Sequence, residues 1–200
     1  MIVAEQKQAE TKEFRNPEPG NYLGRLFSVI DIGTQTTMWE GQEKQQHKIL
    51  LNFELFGEDS NGPLEIGGKP LTVYKRYTLS LNDKSTLRAD LESWRGKKLT
   101  PEELGGFDLS KLVDKYAMVN VVHNDFQGKT YANISSLAQV PSLIKEFPKG
   151  VNEAFLFDLN KFDQTTFDKI WGWQQEMVKK SAEWRNKPDP VTIEDDDVPF

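Results

Sequence analysis

The chain contains no cysteine. That excludes disulfides, thiol catalysis and Cys-ligated zinc. Only two histidines occur, His47 and His123, on separate predicted strands and without the spacing of an HExxH metal helix. No run approaches the roughly 18 apolar residues of a membrane span. The opening MIVAEQKQAETKEF has too short an apolar stretch for a secretory signal, so a cytoplasmic location is the simplest expectation. A nucleotide-phosphate loop is also missing: GGKP at 67–70 lacks the rest of a P-loop and does not lead from strand to helix. Asp195, Asp196 and Asp197 have neither the turn nor the ligand spacing of an EF-hand. The expectation is a protein that is not an enzyme, with no catalytic residue, metal or cofactor.

What is present is a chain of 200 residues, long enough for one domain with a sizeable core and extensions. The net charge of −6 argues at first against nucleic acid, but the charge is unevenly placed. From Asp189 onward there are five carboxylates and no Lys or Arg, which leaves −1 for residues 1–188. A near-neutral body can still present a local basic groove.

Residues 1–16 read as a flexible arm, and PEPGN at 17–21 as a turn cluster that opens the fold. YLGRLFSVIDIG (22–33) is a strand pattern in which Gly24 predicts a bulge or tight bend. HKILLNFELF (47–56) is a second strand with Ile49, Leu51, Phe53 and Leu55 on one face. After a Gly/Pro-rich loop at 57–70, LTVYKRYTLSL (71–81) is a third strand. Tyr74 and Arg76 fall on its polar face, and Val73 and Tyr77 on the other. Ser85 opens a predicted helix over 86–95, followed by shorter helices at 100–104 and 108–115. YAMVNVVH (116–123) and KTYANISSLAQV (129–140) form a predicted hairpin about NDFQG. Five strands with a helical insertion between the third and fourth match the order of an OB-fold barrel, here over 17–140. Residues 141–186 read as a connector and a Trp-rich helix from Thr165, either a brace on the barrel or a self-association surface. Residues 187–200 read as a disordered acidic tail.

Aromatic and basic residues interleave on the strand faces, the pattern by which single-stranded nucleic acid is held: bases stack on rings while cations track phosphates. Tyr74 and Arg76 share a face, with Lys69 and Lys75 close by in sequence. Arg25, Lys48, Lys129 and Tyr131 are further candidates on neighbouring strands. Trp39 lies in a polar stretch, where its ring either stacks on a ligand or folds back onto the barrel. For Tyr74 the plain alternative is a solvated strand residue.

The chain ends in DDDVPF. This resembles the acidic tip of bacterial single-stranded DNA-binding proteins, which ends in three aspartates, an aliphatic residue, Pro and Phe. The barrel is similar instead to phage-encoded single-stranded DNA-binding proteins, on the stretches SLNDKSTLRADLESWRGKKLTPEE, FDLSKLVDKYAMVNVVH and GKTYANISS. The resemblance implies single-stranded DNA as ligand. It also implies that Asp195, Asp196, Asp197, Val198, Pro199 and Phe200 dock onto replication or repair enzymes, a mode of terminal-carboxylate capture. Two alternatives remain at this point: a replisome interaction module that mimics the host single-stranded DNA-binding protein, and a general binder of single- and double-stranded DNA. A homo-oligomer is compatible with each.

Overall fold

The computed structural model describes residues 15–186, so the first 14 residues of the arm and the acidic tip lie outside the described residues. The chain is mainly β. Its strands are β1 (Gly20–Trp39), β2 (Gln42–Phe56), β3 (Thr72–Thr78), β4 (Tyr116–Phe126), β5 (Lys129–Ala138) and β6 (Phe155–Phe157). Two two-residue ladders, Glu58–Asp59 with Gly62–Pro63 and Glu65–Ile66 with Lys69–Pro70, fill the predicted loop. The helices are α1 (Thr86–Arg95), α2 (Pro101–Gly105), α3 (Gln164–Asp168), α4 (Gly172–Lys179) and α5 (Ala182–Arg185). None of the described helices is long and apolar enough to cross a membrane.

The main sheet runs β3-β2-β1-β4-β5 with antiparallel neighbours, and β6 adds in parallel to β1 at Ser28, Val29 and Ile30. Among the described residues no ladder joins β3 to β5, so the sheet is not closed into a barrel. The two edges are tied by one side chain: Lys75 Nζ donates to the Ser135 carbonyl and to Asp90 of α1, each at 2.6 Å.

Period-two patterning builds the core on one face. Ile49, Leu51, Phe53 and Leu55 of β2 join Val73, Tyr77, Ala117, Val119 and Val121, and α1 caps them with Leu87, Leu91 and Trp94. The predicted α1 and α2 form as read, α2 with Pro101 at its first position and a capping box between Thr100 and Glu103. The segment at 108–115 tightens instead into a 3-10 turn, Leu109–Leu112, capped by Asp108. A second core lies on the opposite face. Ile30, Ile32 and Leu50 pack there against Phe157, Leu159, Phe167, Ile170 and Val178.

β1 supplies both cores, and its register against β2 shifts twice, between Leu26 and Ser28 and between Asp31 and Gly33. Each shift inserts an extra residue and changes which face the following side chains meet. The predicted bulge at Gly24 is therefore displaced to Phe27 and Ile32. Gly24 pairs regularly with Leu55, and its lack of a side chain serves close approach: a Cβ there would lie 2.5 Å from Val119 Cγ2.

Two further expectations are corrected. The polar stretch at 34–46 is a long two-stranded hairpin that turns at Glu40–Gly41. The Trp-rich helix is broken into α3, α4 and α5. Trp171 (ψ 141°) and Ser181 (ψ 156°) both leave the helical region, and Ser181 Oγ accepts from Trp184 N as a fresh N-cap. The connector before it is strapped to the sheet by buried Glu54, which accepts from Val151 N, Asn152 N and Asn152 Nδ2.

Candidate nucleic-acid interface

The alternation of β3 sends Val73, Lys75 and Tyr77 inward and Tyr74 and Arg76 outward. Antiparallel pairing then sets Lys48 opposite Thr78, and Lys48 Nζ donates to Thr78 Oγ1 and Gln46 Oε1, both at 2.7 Å. Lys44, Gln46 and Lys48 recur at period two on β2 and so share one side of the hairpin. Together with Lys75, Arg76 and Lys84 they line a hollow of about 650 Å³. Five cations line it and no carboxylate does. Among the described residues Lys44, Lys48, Arg76 and Lys84 have no carboxylate partner.

The first turn of α1 closes this hollow through Ser85 and Thr86. It carries no acidic residue, and Ser85 turns its hydroxyl away to the Ser80 carbonyl, so no side chain caps the helix. The outward N–H groups of that turn add a partial positive charge to the same wall. Burial, then the neighbouring Arg76 and Lys44, hold the Lys48 ammonium below the ordinary lysine range. Packed like charges of this kind are relieved by a polyanion.

Beyond Arg76 the surface becomes aromatic. Tyr74 is 37% exposed and lies at the edge of a second, smaller hollow with Asn133 and Ile134 of β5. Tyr131 stands two residues along from Asn133 on β5, exposed, and Lys129 closes the β4–β5 hairpin against exposed Phe126. Trp39 ends β1 at the tip of the other long hairpin, where its backbone pairs with Gln42.

The candidates thus separate. Lys48, Tyr74 and Arg76 come together, with Tyr131 and Lys129 further along β5. Lys75 lines the groove, but its ammonium is held by Asp90 and Ser135, so it acts as a tie between elements. Lys69 sits on the Glu65–Pro70 ladder and lines neither hollow. Arg25 is a correction: it is 6% exposed, bound by Glu54 at 2.6 Å and Asp114 at 2.5 Å, and donates to the Asn152 carbonyl. It was a candidate as a cation on a strand neighbouring β3, but the fold uses it to hold the connector. Lys44 and Lys84 were missed by sequence reasoning. The alternation Lys44–Gln46–Lys48 was available as a signal had 42–46 been read as strand, whereas Lys84 sits in a turn with no pattern to mark it. No protein-family model and no curated protein sequence matches the chain.

Proposed function

We propose that this protein is a non-enzymatic, sequence-independent single-stranded DNA-binding protein that coats exposed strands during phage replication or recombination. The observation that carries the reading is the groove lined by Lys44, Lys48, Arg76 and Lys84, four cations without a carboxylate partner among the described residues, bordered by exposed Tyr74. Cations along a groove follow a phosphate backbone, and an exposed ring offers a platform to any unpaired base.

The strand order supports an OB-type fold opened between β3 and β5. In that architecture the second and third strands and the two hairpins beside them bind oligonucleotides. Here the cations lie on β2 and β3, and the neighbouring hairpins carry Trp39, Lys129 and Tyr131. The tip DDDVPF adds the second activity, recruitment of replication or repair enzymes through Phe200 and the carboxylates before it.

The test is a fluorescence titration with oligo-dT over a range of salt. Affinity falls as salt rises, with a slope of about 0.7 per phosphate neutralised on a single strand. Arg76→Ala with Lys84→Ala lowers both affinity and slope, and a matched duplex competes weakly. Absence of binding at low salt rules the reading out, and equal competition by duplex replaces it with a general DNA binder.

A further inference from the structure

The groove leaves two exposed indoles of the described residues without a role, Trp171 and Trp173. Trp173, on α4, is 42% exposed although the next residue, Gln174, is almost completely buried. Its ring centroid lies 4.7 Å from that of Tyr74, with the planes tilted by 49°. A tilted pair leaves part of each π-face uncovered. The smaller hollow, about 310 Å³, opens beside the Tyr74 ring, on which Trp173 packs. Lys75, Arg76, Asn133, Ile134 and Met177 line it with Tyr74. Met177 comes from the same helix as Trp173, so α4 supplies one wall and the sheet the others.

We propose that α4 is part of the binding site, and that Trp173 and Tyr74 form a stacking subsite for an unpaired nucleobase inserted between β3, β5 and α4. This rests on the single-strand reading above and extends it to the C-terminal segment. The chemistry of the lining fits a base better than a phosphate. Ile134 and the polarizable thioether of Met177 suit a flat aromatic face. The Arg76 guanidinium adds a cation at the ring's edge or over its plane, and the Asn133 amide offers both donor and acceptor to a base edge. Bases within a duplex have both faces covered by their neighbours, so this subsite selects unpaired strands. The brace aromatics make the contrast. Phe167 is buried and Trp184 stacks on it at 5.0 Å, whereas Trp173 is exposed and packs on Tyr74.

The experiment uses the full chain with oligo-dT and with an abasic deoxyribose-phosphate strand of equal length. Trp173→Ala weakens oligo-dT binding by about tenfold and leaves abasic binding unchanged. Trp173→Phe retains most of the oligo-dT affinity but loses a large part of the tryptophan quenching seen on binding. Arg76→Ala weakens both strands. If Trp173→Ala leaves oligo-dT affinity intact, or lowers both strands equally, the subsite is overturned while the groove reading stands. If that variant folds poorly, the phenylalanine variant decides, and an unchanged quench overturns the subsite. Failure of the wild type to bind either strand at low salt removes the groove reading and the subsite together.

Discussion

Lys48 shows how a single side chain records the character of its surroundings. Its ammonium is depressed by partial burial and by Arg76 and Lys44, so in the unbound protein it loses its proton below the ordinary 10.5. A phosphate beside it favours the charged form, so binding takes up protons as the pH nears that lowered value. The sign follows: oligo-dT affinity declines as pH rises toward the ordinary lysine value of 10.5. Lys48→Arg, charged throughout this range, flattens the decline. Titrations at fixed salt check this, and a wild-type affinity level across the range counts against Lys48 facing the phosphates. Arg25 has the same formal charge and a different fate. Two carboxylates and a carbonyl take up its donors, and an ion pair so buried costs much to break, about 3–5 kcal/mol when one partner is removed.

At the scale of elements, the packing of the C-terminal helices on β1 turns on Gly33. Its φ of +68° disfavours any side chain, and a Cβ there would lie 2.6 Å from both Ser181 Cβ and Glu183 Oε2. Gly41 shares the positive φ, +77°, but a Cβ there would meet nothing within 4 Å. Gly41→Ala therefore costs the backbone strain alone, about 1–2 kcal/mol. Gly33→Ala costs more, because Ser181 and Glu183 must move and the bonds from Thr34 N and Oγ1 to Glu183 are disturbed. Urea denaturation midpoints of the two variants separate these contributions, and equal losses would show that the contact with α5 is soft. These elements also mark how far the sequence could be read. The strands of the first core were legible because the alternate positions Ile49, Leu51, Phe53 and Leu55, and Ala117, Val119 and Val121, are all apolar. The hairpin at 34–46 was not, since residues polar on both faces give no period, and its pairing comes from continuing the β1–β2 ladder. β6 was missed because three residues of FLF carry no periodic signal and gain order only by docking on β1. The break of the Trp-rich helix was hidden for a related reason. Its apolar stripe survives across the interruptions at Trp171 and Ser181, and only tertiary packing places them. Of the site, Tyr74, Arg76 and Lys48 were legible from strand alternation. The accessibility of Arg25 was not, because burial depends on a connector more than 100 residues away in sequence.

Across the whole molecule, charge is sorted. The groove concentrates cations on one side of β2 and β3, and the sequence places five carboxylates after residue 188. The proposed division of labour predicts that deleting Phe200 leaves oligo-dT affinity unchanged while association with the recruited enzyme is lost, read by co-sedimentation of both proteins on coated strand. A loss of DNA affinity as large as that of Arg76→Ala would contradict the division. What holds the two halves of the proposed binding surface in one alignment is a pair of buried amides. Gln174 Nε2 donates to Asn52 Oδ1 at 2.8 Å, and Asn52 Nδ2 donates to Ser28 Oγ at 2.7 Å. Each bond contributes only about 1 kcal/mol net, yet a slip of α4 by one residue would leave the Gln174 amide and Asn52 Oδ1 buried without each other, while Asn52 Nδ2 keeps Ser28. The pair thus acts as a key more than as glue: it rejects misdocked arrangements. Because Trp173 is the adjacent residue, the spacing of its indole from Tyr74 is inherited from a contact buried beneath the surface.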